Sequence, residues 1–198
     1  MCRVYSGILV VIWILAPYSI LQHVEIFPVL WMPQLTLDSV ISVNFHSMWF
    51  YYSYYILLGL VGLTVEKGLF IRYLYTVGWV TAVSHAFFLF MPNGVSRDEI
   101  NLDSAPVLYQ ILVYVDQPRN AFPSLHASLS VVAAIAAQYS VHFSKWSKPL
   151  MWLWVLGIFW STISLRQHVS LDLLAGGIIA VLVWWLIPKT REMKHHGV

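Results

Sequence analysis

Apolar residues come in long runs along this chain rather than in alternation, and six runs reach or approach the length of a membrane-crossing helix: 4–21, 45–64, 73–91, 123–141, 150–165 and 171–187. A bilayer core asks for about 20 predominantly apolar residues per helix, and the last two runs fall short of that. Between the runs, 22–44 carries Glu25, Pro28, Pro33 and Asp38 without recognisable chemistry. The stretch 92–122 holds Arg97, Asp98, Glu99, Asp103, Asp116 and Arg119 around Ala105–Val115, which is too short to cross and is expected to lie in the interface as a short helix or lid. The pattern predicts an all-α fold, a six-transmembrane-helix bundle forming a single domain over 1–198, with no repeat or flexible linker.

Composition sharpens the class. With 59% apolar and 10% charged residues over 198 positions, the chain lies outside the range of soluble domains. Cys2 is the lone cysteine, which excludes an internal disulfide and a cysteine metal site. The first run is longer than a signal-peptide core of about 7–15 residues and lacks a small-x-small cleavage site, so it is read as an uncleaved span.

Lysine and arginine set the orientation, because short cytoplasmic loops hold an excess of them. A cytoplasmic N-terminus places Arg3, Lys67, Arg72, Lys145, Lys148, Lys189, Arg191 and Lys194 inside, eight of the eleven. The other three, Arg97, Arg119 and Arg166, fall in outer loops beside two histidine motifs. Lys189, Arg191 and Lys194 fit an anchor to anionic lipid. Both termini are then cytoplasmic, and the small size and short loops point to a bacterial inner membrane with the site facing the periplasm. The expected partner is the bilayer, not nucleic acid; the oligomeric state is not set by the sequence.

The first motif is Phe122-Pro123-Ser124-Leu125-His126. Proline suits the first position of a helix, so a helix starting at Pro123 leaves the N–H groups of Ser124 and Leu125 free for an anion at the positive helix end, with the Ser124 hydroxyl and His126 in the same turn. The second motif is Arg166-Gln167-His168-Val169-Ser170-Leu171-Asp172. His168 and Asp172, four apart, share a face if the chain there is helical, and the carboxylate then fixes the imidazole tautomer and leaves the other nitrogen as nucleophile or base. A helix-capping role is the alternative for Asp172. Arg166 offers a planar fork for phosphate oxygens.

Ala127, Ser128, Ser130, Ala133, Ala134, Ala136 and Ala137 line the fourth run, and Ala175, Gly176, Gly177 and Ala180 the sixth. Small residues let membrane helices approach closely, so these two are expected to pack and bring His126 and His168 to one outer pocket. Trp49, Phe50, Tyr51, Tyr52, Tyr54 and Tyr55 are read as an interfacial aromatic belt rather than a substrate wall. His85 inside the third run is read as interhelically hydrogen-bonded. His23, His46 and the His195-His196 pair carry no partner pattern.

Pro123-Ser124-Leu125-His126 is similar to a Pro-Ser-Gly-His motif, and His168 with Asp172 matches a His-x-x-x-Asp motif. In this order and spacing they resemble the type 2 phosphatidic acid phosphatase superfamily, six-helix membrane enzymes related to acid phosphatases and vanadium haloperoxidases. Asn120-Ala121-Phe122 before the first motif, with Gln167-His168 and Asp172-Leu173-Leu174-Ala175-Gly176, looks most like the branch containing inositol phosphorylceramide synthases and their bacterial relatives. The resemblance covers roughly 92–187. It implies His168 as the nucleophile forming a phosphohistidine, Asp172 as its orienting partner and His126 as general acid. Ser124 and the adjacent N–H groups would bind phosphate oxygens, without metal or cofactor.

The chain departs from that pattern in two places. The family's first motif, a lysine followed seven residues later by Arg-Pro, is missing; Arg97 is its counterpart and is preferred to Arg119 as a phosphate ligand. Thr162 stands where an arginine is usual, and Arg166 is the candidate to replace its charge. The resemblance implies metal-independent hydrolysis of a lipid phosphate monoester or pyrophosphate at the outer interface. Transfer to an alcohol acceptor uses the same chemistry, and a non-catalytic scaffold or carrier is the third reading.

Overall fold

The computed structural model describes residues 3–23 and 26–189, so Cys2, Glu25, Arg191, Lys194, His195 and His196 lie outside the described residues. The chain is mostly helical: α1 (Arg3–Leu21), α2 (Thr36–Val40), α3 (Met48–Thr64), α4 (Lys67–Phe90), α5 (Val107–Val115), α6 (Leu125–Tyr139), α7 (Ser147–Ser164) and α8 (Ser170–Leu186). The departure from all-α is a two-residue parallel pair, β1 (Leu30–Trp31) beside β2 (Asn93–Gly94).

Two helices, α1 and α4, are long and apolar enough to cross a membrane by length and composition; α6 and α8 are shorter apolar helices. Large apolar side chains on the outer faces of the others, such as Ile56 and Leu63 of α3 and Leu153 and Leu156 of α7, are exposed. A water-facing surface does not tolerate apolar area on that scale, which fits a bundle set in a membrane.

Helix α6 is the hub. It packs against α3, α4, α7 and α8, and Ala127, Ser128, Ser130, Ala133, Ala134, Ala136 and Ala137 are all buried. Their small size allows the approach, which is closest where a β-carbon added to Gly176 of α8 would meet the Ser124 carbonyl oxygen and lie 3.2 Å from Ala127 Cβ. Gly177 has open space around it and does not take part.

Several boundaries differ from the expected runs by one to six residues, and two of them move residues that matter. Helix α4 starts at Lys67, six residues early, and takes in Arg72, which the charge pattern had assigned to a loop. Arg72 is buried, with Nη2 donating to the Trp184 carbonyl (2.7 Å) and its guanidinium 4.3 Å from the indole ring, so the cation sits on the carbonyl end of α8. Helix α6 starts at Leu125 rather than Pro123, because Ser124 is its N-cap. At the opposite end of the bundle Glu66 ties α4 to the end of α6, accepting from Val141 N (2.6 Å) and Ser140 Oγ (3.0 Å).

Candidate active site

His168 precedes α8, whose N-cap is Val169. Asp172 sits at the third helical position and does two things at once: Oδ1 accepts from Val169 N (2.8 Å) and Oδ2 accepts from His168 Nδ1 (2.8 Å). The shared face expected from helical spacing is thus a capping geometry, and the two alternatives for Asp172 are combined in one carboxylate. With Nδ1–H given to Asp172, His168 Nε2 is left as a bare acceptor. That nitrogen lies 3.3 Å from His126 Nδ1.

His126 is in the first turn of α6, 9% exposed, with its ring against Tyr51 (centroids 4.6 Å) and Tyr54 (4.7 Å). Its other nitrogen, Nε2, is buried without a partner among the described residues. Ser124 is fully buried. Its Oγ caps Ala127 N (3.2 Å), and its N–H goes to the Asp172 carbonyl (3.1 Å), so this N–H is not free for an anion as the sequence reading had it. The start of α6 is stitched to the start of α8 instead, and the Ser124 hydroxyl proton keeps its donor capacity.

The turn between α7 and α8 aims His168. Gln167 N (3.0 Å) and His168 N (3.2 Å) both donate to the Thr162 carbonyl; Thr162, where an arginine was expected, is wholly buried. Arg166 adopts a left-handed φ of 53°. Its Nη1 donates to the carbonyls of Ile41 (3.0 Å), Ile163 (3.2 Å) and Asp38 (3.4 Å), and its Nη2 pairs with Glu99 (3.1 Å). Arg97 reaches the same turn from outside, donating to Gln167 Oε1 (2.6 Å), the Asp116 carbonyl (2.8 Å) and the Arg166 carbonyl (3.4 Å). Arg119 is half-buried, and its carbonyl accepts from Asn93 N (3.1 Å). The structure therefore brings His126, His168, Asp172 and Ser124 together, with Arg97 and Arg166 on the backbone of the adjoining turn.

Four supporting groups carried no signal in the sequence. Asp38, in the segment without apparent chemistry, accepts from Ser170 N and Oγ (both 2.7 Å) and so fixes the residue between His168 and Asp172. Asn93 holds the segment ahead of Ser124 through Phe122, donating to its carbonyl (3.0 Å) and accepting from its N–H. Tyr109 of α5 donates to the Leu165 carbonyl (2.9 Å); burial keeps this hydroxyl above its ordinary pKa, so it stays a donor.

Asp116 is the fourth. Its carboxylate accepts from Tyr18 (2.7 Å) and Gln22 (2.8 Å) of the α1 end and from Tyr51 (3.2 Å) of α3. It stands with His126 on the wall of a cavity of about 350 Å³ between α1, α3, α5 and α6. Tyr51 and Tyr54, read from sequence as belt residues, are 3% and 5% exposed and face this cavity, whereas Trp49 is outward and 74% exposed.

A buried Asp–His–His series at one end of an apolar helical bundle defines the class: a helical membrane protein with a histidine site at the mouth of the bundle. The chain belongs to the PAP2 superfamily, a family of phosphatases and phosphotransferases, whose model matches residues 44–195, 152 of the 198 positions. The inositol phosphorylceramide synthase catalytic subunit AUR1 of Saccharomyces cerevisiae (strain ATCC 204508 / S288c) is 36% identical over 71 residues, 36% of this chain and 17% of the yeast protein. The chain thus spans less than a fifth of that relative's length. The resemblance carried by the two histidine motifs is to this family.

Proposed function

We propose that the protein transfers a phosphoryl group from a lipid phosphate through a phosphohistidine on His168. The observation that carries this reading is the hydrogen-bonded series Asp172–His168–His126, 2.8 and 3.3 Å between its members. Asp172 holds the Nδ1–H, and His168 Nε2 attacks phosphorus as the bond to the leaving oxygen breaks. His126, as imidazolium, delivers its Nδ1 proton to that oxygen. In the second step neutral His126 takes a proton from the incoming O–H, the new oxygen bonds phosphorus, and His168 is released. Near-attack geometry needs about 3–3.5 Å from nucleophile to phosphorus and a further hydrogen bond to the acid, so the two rings part when substrate enters. Ser124 Oγ and the N–H groups of Leu125 and His126 at the start of α6 supply donors for the phosphoryl oxygens. Arg97 is the first choice for an added cation, since it already reaches the residue before His168; Arg119 flanks the entry to α6. Arg166 contributes its charge while its N–H groups hold the turn. No metal or cofactor is assigned to the step.

The first form of this activity is hydrolysis of a lipid phosphate monoester or pyrophosphate, with water as acceptor. The second is transfer to an alcohol, favoured by the tyrosine-walled cavity beside His126, which holds apolar groups better than water. The six long helices α1, α3, α4, α6, α7 and α8 are read as the membrane spans, in a bacterial inner membrane with cytoplasmic termini and an outward-facing site. Purified protein in lipid nanodiscs, given a radiolabelled lipid phosphate, tests the reading: phosphate release without acceptor marks hydrolysis, and acceptor-dependent labelled product marks transfer. Wild-type-like biological activity in both His168→Ala and His126→Ala would point to a scaffold or carrier instead.

A further inference from the structure

The cavity between α1, α3, α5 and α6 has an apolar body and, besides Ser19, Gln22 and several tyrosine hydroxyls, an imidazole and a carboxylate on its wall. One is His126, whose Nε2 is buried and unpartnered among the described residues. An imidazolium acting as acid through Nδ1 keeps a proton on Nε2 throughout, and that N–H needs an acceptor. The other is the Asp116 carboxylate, which takes three hydrogen bonds from neutral donors. A carboxylate offers about four acceptor positions, so one is open to a donor. Tyr51 joins the two groups, its hydroxyl on Asp116 and its ring on His126. Apart from Ser19 and Gln22, the rest of the wall is aliphatic or aromatic, including Val11, Ile14, Leu58 and Tyr54. Helix α1 supplies much of it and lies outside the residues matched by the family model.

We propose that this cavity binds a lipid alcohol carrying two adjacent polar groups, of which one accepts from His126 Nε2–H and the other donates to Asp116. Its chain runs along the α1 wall. The occupant meets His126 through Nε2, the nitrogen that the phosphoryl-transfer reading does not use for the reacting proton. Under that reading, on which its catalytic role rests, its two polar groups anchor the lipid beside the reacting site and neither is the oxygen that bonds phosphorus. Asp116 is then the group that selects a diol or amino-alcohol lipid over a simple long-chain alcohol.

Binding tests this without turnover. Protein in nanodiscs is titrated calorimetrically with octane-1,2-diol and with octan-1-ol, and matched empty nanodiscs are subtracted. A hydrogen bond to a charged group is worth roughly tenfold or more in affinity, so the diol is expected to bind at least about tenfold more tightly. Asp116→Asn is expected to bring the ratio towards one, and Ile14→Trp, which fills the cavity from α1, to abolish both signals. Equal affinity of the two ligands for the wild-type protein overturns the proposal, as does a preference that survives in Asp116→Asn. Diol selectivity in a protein that transfers no phosphoryl group keeps the site and removes the proposed activity; turnover without selectivity does the reverse.

Discussion

The carbonyl oxygen of Ser124 occupies the space where a β-carbon on residue 176 would lie, so α8 passes the start of α6 with only Gly176 between them. Both histidines hang from this crossing, His126 two residues after Ser124 and His168 at the entry to α8. Gly176→Ala is therefore expected to force the two helix starts apart. Overpacking of this kind costs about 1–3 kcal/mol, and here it also displaces the histidine pair, so melting temperature and turnover fall together. Gly177→Ala, with open space around the site, is the control and should leave both within error. A Gly176→Ala protein with full stability and full activity would show that the crossing is not close.

Asp172→Asn removes the charge while keeping the size of the side chain. Its Oδ1 still accepts from Val169 N, so α8 keeps its cap, but an amide facing His168 turns the imidazole to the wrong tautomer. Orienting carboxylates of this kind support rates by factors on the order of 10²–10⁴. The expected result is a loss in that range in kcat, with helical content by circular dichroism unchanged. A loss confined to KM would contradict an orienting role.

Arg97 and Arg166 are expected to respond differently, although both are arginines of the outer loops. Arg166 is 6% exposed and its guanidinium grips three carbonyls and Glu99. Arg166→Gln strands those carbonyls, at about 1–3 kcal/mol for buried groups left unpaired, and should show first as a lower melting temperature. Arg97 is only half-buried and holds two carbonyls and Gln167, so Arg97→Gln should show first in kcat/KM, by about 10²-fold if it donates to the phosphoryl group, with a smaller loss in melting than Arg166→Gln. Equal effects of the two on melting and turnover would remove the distinction.

At the other end of the bundle, burial raises the Glu66 carboxyl, but hydrogen bonds from its own backbone, Val141 N–H and Ser140 Oγ outweigh it and hold the group below its usual value. A carboxylate depressed in the folded state stabilises above its unfolded pKa, near 4.3, and that contribution is lost as pH falls through the folded value. Below about pH 4 the wild-type protein should lose stability more steeply than Glu66→Gln, followed by thermal melting across pH 3–6. Parallel curves would show that Glu66 makes no pH-dependent contribution.

The grouping of residues at the centre is legible in the sequence because their relations are local. Ser124 and His126 share one helix turn, His168 and Asp172 lie four apart, and the alanines and Gly176 advertise the packing that joins them. The parts that escaped notice depend on distant partners. Asp38 acts on Ser170, 132 residues away, and Asp116 meets Tyr18 across 98 residues, so neither stands out among other loop acids. Arg72 reads as a loop cation because charge patterning cannot see that the Trp184 carbonyl and ring wait beside it. Tyr51 and Tyr54 read as belt because the composition of α3 does not say which face turns to His126. Pro123 misplaced the helix start by two residues, because the serine cap that follows it takes precedence.

The most direct test is to find the phosphoryl group on His168. Wild-type protein and His126→Ala, in which loss of the general acid or base slows turnover, are mixed with a ³²P-labelled lipid phosphate, quenched in alkali and digested. An acid-labile, alkali-stable label on the peptide containing His168, absent from His168→Ala, is the expected result. Turnover with no label on that peptide, or a label that persists in His168→Ala, would contradict a phosphohistidine at this position.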